Sequence, residues 1–132
     1  MTPQDFFKND LFAERTGIVL MEVREGYSKA RLEIKKEHLN AGNRTQGGAI
    51  FTLADLALAA NSHGQLAFSL SSNITFLRAS GIGDTLYAEA RERYIGRSTG
   101  YYQIDITNQK NELIATFESS VFRKDQQVPF TL

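Results

Sequence analysis

The sequence predicts an α+β fold in which one long buried helix is wrapped by a curved antiparallel sheet. Three observations carry this. Gln46 to Ser62, QGGAIFTLADLALAANS, is apolar on nearly every helical face, which marks a buried helix rather than a surface one. Tyr27 to Lys35 alternates, with Ala30, Leu32 and Ile34 facing one way and charged residues the other, as a half-buried strand does. After the helix, four further strand-like stretches follow one another across short turns, so antiparallel neighbours are expected.

The elements justify themselves in order. Thr2 can cap a short helix with Pro3 in its first position, and Phe6, Phe7, Leu11 and Phe12 give it an apolar side that ends before Gly17. Such a helix could lie over a core or cover a pocket mouth, and the core reading is preferred. Ile18 to Glu25 is a strand, and Gly26 turns it into the next, at Tyr27. A polar loop, His38 to Thr45, leads into the central helix, which ends near His63. In Ala67 to Arg78, Phe68, Leu70, Ile74 and Phe76 are expected on one face and Ser69 on the other. In Thr85 to Ile95, Leu86, Ala88, Ala90 and Tyr94 share a side. Tyr101 to Thr107 points Tyr102, Ile104 and Ile106 inward. Glu112 to Arg123 closes the sheet with Leu113, Ala115, Phe117 and Val121, and the tail from Lys124, with Pro129, is expected to be irregular. No repeat or linker interrupts residues 1–132, which read as a single domain.

Composition narrows the function classes. Fifteen basic and fifteen acidic residues balance, which argues against nucleic-acid binding through bulk charge. The absence of cysteine excludes disulfides, thiol nucleophiles and cysteine metal sites. The two histidines are far apart, so no metal-ligand spacing is present. His38 reads as a structural loop residue and His63 as an interaction with the helix end. The N-terminus lacks the pattern of a signal peptide, no apolar run suits a membrane span, and a cytoplasmic location is expected.

The chemistry concentrates on the central helix. Gly48, Thr52, Asp55, Ala59 and Ser62 recur at spacings of three or four and form one small, polar stripe. A sheet covers only one side of a helix, so this stripe is expected to meet a second copy of the chain. Asp55 stands among apolar neighbours, where a carboxylate shifts its pKa or finds partners. Gly47 and Gly48 open the helix, where backbone N–H groups lack intrahelical partners and the dipole is positive. A carbonyl oxygen gaining negative charge could rest there.

His38-Leu39-Asn40, Gly47-Gly48 heading a helix with Leu53-Ala54-Asp55, Asn73 to Arg78, Gly83-Asp84, Gly96-Arg97-Ser98 and Leu113-Ile114-Ala115 occur in an order and spacing that resembles the PaaI-type hotdog-fold thioesterases. The resemblance covers about His38 to Arg123. It implies a helix wrapped by an antiparallel sheet, and dimers with composite sites, commonly paired into tetramers. It implies hydrolysis of acyl-CoA thioesters, with CoA as part of the substrate and no cofactor. By resemblance, Asp55 is the catalytic carboxylate, as general base or nucleophile. The Gly47 N–H polarises the thioester carbonyl, with Gly48 beside it, and Asn40 holds water or thioester. Ser69 is a polar contact beside the acid. Arg97 and Ser98, with Arg78 and Arg123, are where CoA is met.

One position departs from the pattern. The family commonly has histidine before the two glycines, where this chain has Gln46. Glutamine can donate a hydrogen bond to a carbonyl oxygen but cannot titrate near neutrality. Gln46 is therefore expected to position the thioester, and it keeps open the alternative of an acyl-CoA-binding protein without turnover. A hydroxyacyl-thioester dehydratase ranks below both, because that chemistry pairs an acid with a histidine.

Overall fold

The computed structural model describes residues 1–61 and 65–130. The elements are α1 (Pro3–Phe7), α2 (Leu11–Thr16), β1 (Val19–Arg24), β2 (Tyr27–Glu33), a 3-10 turn at Lys36–His38, α3 (Gly47–Ala60), β3 (Gln65–Phe76), β4 (Thr85–Ile95), β5 (Thr99–Thr107) and β6 (Leu113–Gln127). The six strands form one antiparallel sheet in the order β1-β2-β4-β5-β6-β3.

The sheet folds round α3 because both surfaces carry small and aliphatic side chains. Ile50, Leu53, Ala54, Leu56, Ala57, Leu58 and Ala60 of the helix are buried in one cluster with Ala30, Leu32, Leu86, Ala88, Ala90, Ile104 and Ile106 of the sheet. The alanines let backbone approach backbone, and each fully buried leucine contributes about 2 kcal/mol. Two polar bonds fasten the C-terminal half of the helix. The Ser28 hydroxyl donates to the Ala57 carbonyl, and the Asn61 amide donates to the Ala90 carbonyl at 3.0 Å. What remains uncovered is the polar stripe: Gly48 is exposed, and Thr52, Asp55 and Ala59 are half-buried. Ser62 and His63 lie outside the described residues.

Several expectations need correction. The N-terminal segment is two helices, because the Asp10 carboxylate accepts from Ala13 N–H at 3.1 Å and starts a second one. Consecutive strands are not all neighbours. The helix carries the chain across the sheet and delivers β3 to the far edge beside β6, and residues 77–84 bring it back so that β4 lies between β2 and β5. Register shifts alter two faces. At Leu70 the pairing slips, so Ser69, opposite buried Val121, shares the helix side with Ile74, while Phe68 pairs with exposed Phe122. A second slip at Arg93 turns Tyr94 outward. Leu113 is exposed and Ile114 takes its place in the core. The tail continues β6 to Gln127, and Phe130 is buried against Phe6 and Phe7 at ring separations of 5.7 and 5.9 Å.

Candidate active site

The start of α3 is held by contacts to two neighbouring segments. Gln46 N–H donates to His38 O at 2.8 Å, and Thr45 N–H donates to Ser80 O at 2.9 Å. His38 is buried. Its Nδ1 accepts from Lys35 N–H at 2.9 Å and its Nε2 donates to Thr16 O at 2.6 Å, which fixes the tautomer and ties α2 to the entry of α3. The histidine is structural, as the sequence suggested.

Gly47 and Gly48 serve different purposes. Among the described residues the Gly47 N–H has no hydrogen-bond partner. A Cβ on Gly47 would lie 2.9 Å from the Phe76 ring, so the position admits no side chain without moving that ring. The Gly48 N–H is already taken, because it donates to the side-chain oxygen of Gln46. A Cβ on Gly48 would lie 2.6 Å from that oxygen. Gln46 is thus the N-cap of the helix, a role the sequence reading did not foresee.

Asn40 and Gly47 line one cavity of about 420 Å³ with Phe76, Arg78 and Ser80. The Asn40 side-chain oxygen accepts from Gly42 N–H at 2.9 Å and Arg44 N–H at 3.1 Å, so the loop consumes its acceptor and leaves its NH₂ as the available group. Arg78 Nη2 is 2.8 Å from Glu112 Oε2 at the surface.

Asp55 lies in a separate cavity of about 270 Å³ with Leu58, Ala59, Ala67, Ser69 and Val121. Among the described residues its carboxylate makes no hydrogen bond or ion pair. Burial raises its pKa above the ordinary carboxylate value, and the negative charge of Asp10 raises it further. Ser69 lines the same cavity, with no hydrogen bond to the carboxylate among the described residues. Asp10 carries no pattern in the sequence that would have placed it near Asp55; only the break between α1 and α2 brings it there.

Asp55 lies eight positions beyond Gly47, about 12 Å along the helix axis. One chain therefore does not bring the open N–H and the carboxylate to the same carbonyl. Arg97 and Ser98 are exposed in the turn between β4 and β5. Arg123 braces that turn. Its backbone N–H donates to Ser98 O at 2.7 Å, its Nη2 donates to Gly96 O, and its Nη1 donates to Gln65 Oε1 at 3.0 Å. Among the described residues no cluster of His, Cys, Asp and Glu has the arrangement of a metal site.

A third cavity, of about 870 Å³, lies between α2 and the start of α3, walled by Phe12, Leu39, Gln46, Ala49, Phe51 and Thr52. Phe12, expected in the core, is 72% exposed there, because α2 turns its Ala13 inward instead.

Residues 43–115 match the thioesterase superfamily. The chain is 43% identical over 127 residues to a putative esterase of Archaeoglobus fulgidus, covering 95% of this chain and 82% of that one. It is 36% identical over 119 residues to the acyl-coenzyme A thioesterase PaaI of Escherichia coli, covering 89% and 85%. The solved structure of that E. coli protein, from the phenylacetic acid degradation operon, aligns with a TM-score of 0.89 at 32% identity over 94% and 91% of the two chains. A hypothetical thioesterase of Streptococcus pneumoniae, solved with coenzyme A, aligns with a TM-score of 0.85 at 25% identity over 92% and 98%.

Proposed function

The chain belongs to the thioesterase superfamily as a PaaI-type hotdog thioester hydrolase, and from that premise we propose that it hydrolyses acyl-CoA thioesters to free acid and CoA at a site shared by two copies of the chain. The observation that carries this reading is the Asp55 carboxylate. It is half-buried, unpaired among the described residues and raised in pKa, on the one stripe of α3 the sheet leaves open.

Gly47 N–H and the Asn40 amide face one cavity and act as donors to the thioester carbonyl oxygen. Asp55 of a second copy approaches from the other side. As general base it takes a proton from water, the water oxygen attacks the carbonyl carbon, the oxyanion rests on the two donors, and the carbon–sulfur bond breaks as CoA leaves as a thiolate. A carboxylate with a raised pKa is the stronger base, provided it is ionised at the working pH. Ser69 keeps the acid in polar company.

The edge strand β3 supports pairing between copies. Among the described residues its outer edge is unpaired, and Phe68, Leu70 and Phe76 are 50%, 63% and 52% exposed along it, an arrangement that a monomer seldom leaves open. A dimer across this edge, paired further into a tetramer, is the assembly we favour. Arg97, Ser98 and Arg78 contact the CoA arm, whereas Arg123 acts through the turn it braces. CoA is part of the substrate, and the reaction so drawn needs no cofactor. Residues 1–132 act as one domain, and the cytoplasm is the expected compartment; among the described residues no helix is long and apolar enough to cross a membrane.

The test is thiol release from acyl-CoAs by wild type and by Asp55→Ala. Wild-type turnover that falls by about a thousandfold or more in a folded, assembled variant is expected. Full activity in the variant would remove Asp55 from the mechanism.

A further inference from the structure

A thioester carbonyl has two arms, the acyl carbon and the sulfur, and they leave the carbon in different directions. Two cavities border the first turn of α3. The cavity with Gly47 carries Asn40, Arg78 and Ser80, polar groups suited to the amides of a pantetheine arm. The larger cavity, beside Gln46 and Gly48, is walled by Phe12, Leu39, Ala49 and Phe51. Its volume of about 870 Å³ falls within the roughly 300–1,000 Å³ of small-molecule sites.

We propose that this larger cavity is the acyl pocket and that Phe12 is the residue that sets which acyl groups it accepts. The inference rests on the thioesterase reading. Phe12 is a large apolar side chain left 72% exposed on its own helix, with its ring beside the cavity rather than in the core. Its position is fixed. His38 Nε2 holds Thr16 O at the C-terminal end of α2, and the His38 carbonyl accepts Gln46 N–H at the start of α3. The wall carrying Phe12 is thereby tied to the helix start that receives the carbonyl. Arg15 and Glu37 also line the cavity, one charge of each sign, beside the apolar Phe12, Leu39 and Phe51. Ala49 of α3 lines the same cavity as Phe12, and a larger side chain there would take up part of its volume. The substrate class is therefore an acyl-CoA with an apolar body well beyond acetyl.

The experiment measures kcat/KM for saturated acyl-CoAs from acetyl to decanoyl and for one aryl-acyl-CoA, with wild type, Phe12→Ala and Ala49→Leu, each checked for its melting temperature. Phe12 is exposed, so its truncation leaves the fold intact. The wild type should disfavour acetyl-CoA. Phe12→Ala should move the ratio of long-chain to short-chain kcat/KM by about tenfold or more, and Ala49→Leu should move the preference toward shorter groups. An unchanged profile in both variants, or an equal loss on every substrate, would overturn the assignment while leaving the thioesterase reading in place. No thiol release by wild type from any member of the panel would overturn the thioesterase reading, and the pocket with it.

Discussion

Adding one carbon at residue 47 should separate activity from stability. A Cβ there would lie 2.9 Å from the tip of the Phe76 ring and 3.4 Å from the two carbons flanking it. Carbon atoms in ordinary contact stand about 3.5–4.0 Å apart, so the helix start and the ring must part by about 0.6 Å or more. Phe76 is 52% exposed, which gives the ring room to yield. Alanine is also a better helix residue than glycine, by up to about 1 kcal/mol in a helix interior. The melting temperature of Gly47→Ala should therefore stay close to wild type. The backbone N–H survives the substitution, but its surroundings move. A displacement of this size at a reacting centre lowers kcat by about ten- to a hundredfold. Steady-state thiol release gives kcat, and a thermal melt gives stability. Adding Phe76→Leu should recover much of the loss by removing the ring from the contact. Wild-type kcat in Gly47→Ala would refute the placement of the oxyanion donor, as would a loss of kcat that Phe76→Leu does not relieve.

Other expectations follow from the same geometry. Because Gln46 caps α3, Gln46→Ser should keep stability and kcat near wild type while Gln46→Ala loses about 1 kcal/mol of stability, read by denaturant melts; a stable Ser variant with kcat far below wild type would show instead that the amide touches substrate. Asp55 has a folded pKa above its unfolded value, so the folded state holds that proton more tightly. Stability is therefore lost as pH rises through the window from 3.8 up to the raised value, and Asp55→Asn should be the more stable protein at neutral pH, with the difference shrinking as pH falls toward 3.8. Denaturant melts across pH check this, and no gain at neutral pH would contradict it. The same shift places the acid limb of kcat/KM above the ordinary carboxylate range, and Asp10→Asn should move that limb toward lower pH, since one of the two causes of the shift is gone.

The parts of this molecule legible in the sequence are those where one residue pattern meets one surface. The alternation of β2 and β5, and the polar stripe of α3, follow directly from side chains that must face either the core or solvent. The register slips at Leu70 and Arg93 could not be read, because an extra residue reverses a strand's facing without any marker in composition. The sheet order was equally hidden, since the α3 crossover that places β3 beside β6 is a tertiary choice. At the site, Asp55 and the glycines announced themselves by being out of character with their neighbours. The cap made by Gln46, the fit of Phe76 over Gly47 and the wall made by Phe12 depend on distances between elements, and an apolar residue on a short helix looks the same in sequence whether it fills a core or walls a cavity.

In the proposed mechanism the catalytic groups come from two copies of the chain. Asp55→Ala removes the carboxylate and leaves the helix start intact, whereas Gly47→Val obstructs the donor cavity and leaves Asp55 intact. Each variant alone should be nearly inactive. Unfolded together at equal amounts and refolded, half of the dimers should be mixed, each with one complete site, so about a quarter of wild-type activity should return. A mixture no more active than its separate components, with mixed dimers demonstrated by native mass spectrometry, would contradict the shared site.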